Sequence, residues 1–326
     1  MKKLYKKIIL RKKNIMCKKI VFFSIDRLGD YLIKSNTIFE ISKKFKYSEI
    51  ICSDKNYNLI KTQSFYNKKI LFNTNKKFSN KLIFIINFIF CKYHTAIALD
   101  GKNISSILLF LIRAKFKYKI IYKKKVNSLA FKIYCKILKI LNINYLILNN
   151  RDLIESGVDE HYPSKIYNLN KIFGILDYKT YYLEELKPSK KLKINEKFVL
   201  IHLDEKFNDI ENINLDFNKF LKILANKIDH KIILTSFKNN HNYYKNLDIK
   251  KIYFDSVDLV DLNKIKLLIM EDVPLNDFYD LIKNSSYNIS CHAGFLVHAS
   301  LLNDKNTIDI LNEKDEKWLN TWVTKN

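Results

Sequence analysis

Residues 19–33 read KIVFFSIDRLGDYLI, and the fold turns on how this stretch is read. Its first part, KIVFFSI (19–25), is rich in β-branched and aromatic side chains, as suits a short strand buried on both faces. Asp26-Arg27-Leu28-Gly29-Asp30 interrupts the apolar run. Beyond it Leu32, Ile33, Ile38 and Ile41 recur at helical spacing. The unit is strand, polar turn, helix.

The same alternation continues along the chain. SEIIC (48–52), KILF (69–72), TAIAL (95–99) and YKIIY (118–122) read as strands, with helices expected over about 80–92 and 103–113. Residues 123–150 read as helical and strongly basic. Between 151 and 195 the periodicity loosens and Gly157, Pro163, Gly174 and Pro188 gather, with a helix over 163–174. A second series then starts with KFVLIHL (197–203), a helix over about 215–228 and KIILT (231–235). A short strand at 251–254, a helix over 277–284, YNIS (287–290), a helix to about Leu302 and TIDI (307–310) complete it. Alternating strands and helices predict an α/β fold of parallel sheets covered by helices. Two successive series predict two domains: residues 1–160, a connecting stretch over 161–195, and residues 196–326.

Composition bounds the function. The chain has 326 residues with 58 Lys+Arg against 33 Asp+Glu, a net charge of +25. The imbalance lies in one half, since residues 1–150 hold 33 Lys+Arg and 6 Asp+Glu. Such asymmetry points to an anionic partner for the first half: nucleic acid, a membrane surface or a phosphorylated glycolipid. A solvated lysine-rich surface is the plain alternative. The five cysteines, Cys17, Cys52, Cys91, Cys135 and Cys291, contain no C-x-x-C pair, which argues against a disulfide framework or zinc site. They suit a reducing cytoplasm. Residues 1–19 lack the apolar core of a signal peptide. The longest apolar stretch, Leu82–Cys91, is shorter than the roughly 20 residues a bilayer span needs.

Ligands of open α/β sheets sit at the carboxyl ends of strands, so the residues there are the candidates. Asp30, after Gly29, either caps its helix or serves as a general base. Asp26 and Arg27 suit a local ion pair. Asp100 and Gly101 suit either turn chemistry or a loop that contacts an acceptor. Lys206, after KFVLIHL, is either a phosphate contact or a solvated loop lysine. His292-Ala293-Gly294-Phe295 opens a helix whose N-terminus suits a diphosphate, and His298 lies one turn further, where a packed histidine is the plain reading. His292 and His298 are six apart and do not suit a metal on one helix face. No Walker A, HExxH, GxSxG or GxGxxG string occurs.

Three blocks carry a resemblance. IVFFSIDRLGDYLIKSNTIFEISKKF (20–45) resembles the opening strand, Arg-x-x-Gly-Asp turn and helix of glycosyltransferase family 9, the heptosyltransferases. YHTAIALDGKNISSILLFLIRAKFKYKIIY (93–122) and YNISCHAGFLVHASLLNDKNTIDI (287–310) resemble its second and third blocks, in the right order. His292-Ala293-Gly294 stands where the family commonly has Asp-Ser-Gly or Asp-Thr-Gly.

The resemblance implies a GT-B fold, two Rossmann-like domains with parallel sheets facing a central cleft. It implies an N-terminal domain for the acceptor and a C-terminal domain for the nucleotide sugar. It further implies an inverting, metal-independent transfer of a heptose-like sugar, ADP-heptose being one donor of the class, without a cofactor. Asp30 matches the family's base, with Asp26, Arg27, Gly29, Asp100 and Gly101 on the acceptor side. Lys206, His292, Ala293, Gly294, Phe295 and His298 fall on the diphosphate side. The implied partners are a nucleotide sugar and an anionic lipid-linked glycan, such as lipopolysaccharide, at the inner face of the bacterial cytoplasmic membrane. Nucleic acid is not expected. Two other readings stay open: a basic nucleic-acid-binding protein lacking any helix-turn-helix, zinc-finger or RNP signature, and a GT-B glycan-binding domain that has lost turnover.

Overall fold

The computed structural model describes residues 19–72, 90–125, 128–157, 160–176, 182–190, 194–203, 217–236, 250–259, 262–291, 293–311 and 313–321, with a few single positions between them. The chain divides into two compact units: Met1–Glu184 together with Glu316–Asn326, and Glu185–Asp315.

The first unit holds a parallel six-stranded sheet. Its strands are β1 (Lys19–Ser24), β2 (Tyr47–Ser53), β3 (Lys68–Phe72), β4 (Lys92–Ala98), β5 (Arg113–Lys123) and β6 (Ile143–Asn149), in the order β3-β2-β1-β4-β5-β6. β1 lies in the middle, and its residues from Ile20 to Ser24 are all buried, which explains its unbroken apolar run. Helix α1 (Leu28–Ser42) follows β1, α2 (Asp54–Ile60) follows β2, α3 (Asn103–Leu111) follows β4, and α4 (Leu129–Ile140) joins β5 to β6. Val21, Phe23, Ile51, Ala96, Leu108, Leu109 and Leu138 belong to the core on one face of the sheet.

The expectation of helix throughout 123–150 is corrected. The helix stops at Ile140, and Asn142, in the left-handed region at φ 54°, turns the chain into β6. Asn tolerates that conformation in the position after a helix C-cap. A short Ile/Leu run such as INYLILN carries no period that separates edge strand from helix. The helix expected over 80–92 lies largely outside the described residues.

After β6, α5 (Arg151–Glu155) and α6 (Tyr162–Ile172) pack within the same unit. Segment 182–184 is tied there too: Tyr182 stacks on Phe39 and its N–H donates to Ser35 Oγ at 2.9 Å.

The second unit repeats the architecture. Its strands are β7 (Phe198–Leu203), β8 (Lys231–Ser236), β9 (Lys250–Tyr253), β10 (Leu267–Glu271), β11 (Tyr287–Ser290) and β12 (Asn306–Asp309), all parallel, in the order β12-β11-β7-β8-β10-β9. Helices α7 (Phe217–Lys227), α8 (Leu275–Asn284) and α9 (Gly294–Leu302) connect them. β10, LLIME, is an interior strand that the sequence reading does not anticipate. The final helix, α10 (Glu313–Asn320), leads the chain back to the first unit. There the Tyr162 N–H donates to Thr321 O at 2.9 Å, and Trp318 meets Tyr162 edge to face at 5.5 Å.

Candidate active site

In each sheet the first strand has neighbours reached by the chain in opposite directions. The switch point lies between β1 and β4 in the first unit, and between β7 and β11 in the second. Ligands of open α/β sheets bind outside the carboxyl ends of strands at such points.

At the first switch point three carboxylates gather. Asp26 leaves the end of β1, Asp30 stands in the first turn of α1, and Asp100 follows β4. Asp100 braces the two strand ends. Its Oδ2 accepts from the Ile25 N–H at 2.6 Å and from Ser105 Oγ at 2.8 Å, while Oδ1 accepts from the Lys102 N–H at 3.0 Å. With both oxygens engaged and 2% exposure, Asp100 holds the geometry. Gly101 is demanded by packing, since a Cβ there would lie 2.5 Å from Tyr122 Cδ2.

Asp26 is equally enclosed. Ser24 Oγ donates to its Oδ1 at 2.7 Å and Asn56 Nδ2 at 3.3 Å, and Lys34 Nζ closes a short ion pair with Oδ2. Lys34 also donates to Leu99 O at 3.1 Å. Sequence reasoning paired Asp26 with its neighbour Arg27 and missed Lys34. The available signal was a lysine one turn beyond Asp30, at helical spacing from Tyr31, Ile38 and Ile41.

Asp30 differs from both. The N-cap of α1 is Arg27, which makes no side-chain cap bond. Asp30 therefore sits three residues inside the cap, and a hydrogen bond from the Arg27 backbone reaches it, as in half of a capping box. Gly29 lies in the helix with no left-handed backbone, so a special turn conformation does not account for it. The Asp30 side chain is only half-buried.

The electrostatics follow from this crowding. Burial raises the Asp30 pKa above the ordinary carboxylate range, and the Asp26 charge adds to it. Lys34, the Arg27 backbone bond and the Arg27 charge oppose without cancelling. Asp100 is raised by burial and Asp26 in the same way. Burial pulls Lys34 down, but Asp26, Asp30 and Asp100 outweigh it and leave its ammonium above the usual lysine value. Tyr122, beside Gly101, is pushed well up by burial and then by the Asp30 charge. The site is a partly buried carboxyl of raised pKa, flanked by two carboxylates held by fixed donors.

At the second switch point, Ala293 is the N-cap of α9 and has no side chain to cap with. The first N–H groups of a helix have no partner within it. The Ser290 hydroxyl fixes the turn by accepting from the Ala293 N–H at 3.3 Å and donating to Asp309 Oδ1 at 3.3 Å. Gly294 is the first residue of the helix, and Phe295 anchors its first turn against Phe278, ring centroids 5.9 Å apart. His298 is buried within α9. Lys206 and His292 lie outside the described residues. His202, on β7, is also buried; its Nδ1 lies 3.0 Å from Thr235 Oγ1 and its ring packs on Phe278. Burial lowers its pKa to about 4, so it is a neutral core histidine near neutral pH.

No protein-family model matches the sequence, and no curated protein matches it. Solved structures do. A glycosyltransferase family 9 protein from Veillonella parvula matches with a TM-score of 0.57 at 10% identity, covering 94% of this chain and 89% of its own. Escherichia coli heptosyltransferase WaaC with ADP matches at 0.58 and 10% identity, covering 92% and 89%. Escherichia coli ADP-heptose lps heptosyltransferase II matches at 0.59 and 9% identity, covering 89% and 84%. The two parallel six-stranded sheets with interleaved helices are thus the two-domain α/β architecture of the GT-B heptosyltransferase structures. At about 10% identity this likeness is one of fold.

Proposed function

We propose that this protein is an inverting, metal-independent glycosyltransferase. It moves a heptose-like sugar from a nucleoside-diphosphate donor to an anionic lipid-linked glycan of the lipopolysaccharide type. The observation that carries the reading is Asp30: one half-buried carboxyl of raised pKa at the switch point of a GT-B first sheet, beside two carboxylates already engaged. The enzymes with this fold include ones solved with ADP, which supports a nucleotide sugar as donor.

Asp30 takes the proton of the acceptor hydroxyl as that oxygen attacks the anomeric carbon. The bond from that carbon to the diphosphate breaks on the opposite face, and the nucleoside diphosphate leaves with the electron pair. On the second unit, the N–H groups opening α9 at Ala293–Phe295 suit the charge that builds on the diphosphate; Lys206 and His292, outside the described residues, are assigned to the diphosphate by the family resemblance alone. His298, buried in the same helix, is assigned to the diphosphate side with that turn. Arg27, exposed next to Asp30, faces the anionic acceptor. No cofactor enters this scheme, and nucleic acid is not a partner in it.

Calorimetry with ADP, GDP and UDP, with Mg²⁺ or with EDTA, tests the reading against a short RNA at two salt concentrations. One diphosphate bound selectively and equally well in EDTA is the expected result. Salt-steep RNA binding without diphosphate preference would overturn it. Diphosphate binding with no transfer to any lipid-linked acceptor would leave a binding domain that has lost turnover.

A further inference from the structure

Helix α4 is apolar on two sides. Inward, Phe131, Tyr134, Cys135 and Leu138 join the core. Outward, Leu129, Ile133, Ile137 and Ile140 are 72%, 49%, 43% and 77% exposed. Their spacing of four, four and three puts them in one stripe along the helix. Lys132, Lys136 and Lys139, all exposed, run beside that stripe. At the C-terminal end of the helix a concavity of about 340 Å³ opens, lined by Lys115, Phe116, Lys139, Asn142, Ile143 and Asn144. It lies by the starts of β5 and β6, at the end of the sheet away from the carboxylates.

We propose that the outer face of α4 docks on a bilayer containing anionic lipid, with this concavity taking a lipid phosphate between Lys115 and Lys139. The proposal rests on the reading of a lipid-linked acceptor for its purpose, and it names the surface that brings the enzyme to that acceptor. Three features select this occupant. An aliphatic stripe flanked by lysines along one helix is the pattern of interfacial helices. Lys132, Lys136 and Lys139 on α4 and Lys115 beside it are exposed, and residues 129–150 contain no Asp or Glu, so the face suits negative headgroups. The same charge opposes a second copy of the chain against this surface, and Leu and Ile side chains offer a base nothing to stack on. Among the described residues no helix is long and apolar enough to cross a membrane.

The test is co-sedimentation of the full chain with phosphatidylcholine vesicles, with and without phosphatidylglycerol. The wild type is expected to bind the phosphatidylglycerol vesicles, less so at high salt. The double variant Ile133→Asp/Ile137→Asp is expected to lose binding. Lys115→Gln/Lys139→Gln is expected to weaken it about fivefold per lysine and to erase the preference for phosphatidylglycerol. All these side chains are at the surface, and circular dichroism with Tm verifies folding. Nucleoside-diphosphate binding, measured on the same samples, is expected to be unchanged. Vesicle binding that survives both double variants, or is absent from the wild type while ADP still binds, overturns the docking surface and leaves the proposed function standing. Vesicle binding through α4 with no diphosphate bound would overturn the proposed function alone. RNA that displaces the vesicles, or a dimer abolished by the aspartate variant, would assign the face to those partners instead.

Discussion

Lys34 on α1 and Asp26 at the end of β1 form an ion pair whose side chains are 2% and 6% exposed. They stand eight positions apart, and the pair closes because the helix folds back over the end of its own strand. The Lys34 ammonium also donates to Leu99 O beyond β4. One cation thereby ties both sides of the switch point and balances a cluster of three carboxyl groups.

Removing that cation leaves Asp26 buried beside Asp30 and Asp100. Breaking one partner of a buried pair typically costs about 3–5 kcal/mol, so Lys34→Met is expected to lose stability on that scale in urea denaturation. Adding Asp26→Asn to Lys34→Met is expected to recover part of the loss. A double variant no more stable than Lys34→Met would show that the pair does not carry the cost.

Asp30 is expected to carry turnover and little of the fold. Asp30→Asn should lower transfer by about 10²–10⁴ while ADP binding, which the proposed function assigns to the second unit, is unchanged. Equal rates for variant and wild type would remove Asp30 from the reaction.

The pH profile follows from the raised Asp30 pKa. A base is competent only when deprotonated, so transfer is expected to rise with pH through a limb lying above the ordinary carboxylate range. A limb near pH 4 would contradict the desolvated setting of this carboxyl.

Gly101 is expected to resist substitution. The Cβ of Gly101→Ala would meet Tyr122 Cδ2 and Cε2 at 2.5 and 2.8 Å, an overpacking that costs about 1–3 kcal/mol. Combining it with Tyr122→Leu is expected to relieve most of the loss, read as the shift in Tm. If Gly101→Ala alone leaves Tm unchanged, the ring contact is not what excludes a side chain.

His202 makes stability depend on acid. Its pKa falls from an ordinary 6.5 to about 4 on folding, so between those values the unfolded chain binds a proton that the folded chain refuses. Stability is therefore lost as pH falls from 6.5 through 4, by up to about 3 kcal/mol for this group. His202→Gln is expected to flatten that part of the profile in urea titrations at stepped pH. An unchanged profile would place the acid sensitivity elsewhere.

Much of the architecture was legible locally. The strands at 19–24, 198–203 and 287–290 and the helices after 28 and 294 stand where period and punctuation put them. β6 went unread because an Ile/Leu run beside a basic helix carries no distinguishing period, although Asn142 marked the break. At the candidate site, Asp30, Asp100 and Gly101 were visible as polar and small residues at strand ends. Lys34 was not, because a lysine inside a helical pattern reads as a solvated one until the carboxylate it meets is known.

The sequence by itself determined the alternation of strands and helices in two series, β6 and β10 excepted, since side-chain periodicity records burial residue by residue. It also carried the charge imbalance of the first half. Only the tertiary structure decided the order β3-β2-β1-β4-β5-β6 that makes a switch point of β1 and β4, and the return of α10 to the first unit. It alone showed that Asp100 reaches Ile25 across 75 positions and that Lys34 sits among three carboxyl groups. Periodicity says that a side chain is buried, but the neighbour it is buried against comes from distant chain. At this site the neighbours set the charge of each group.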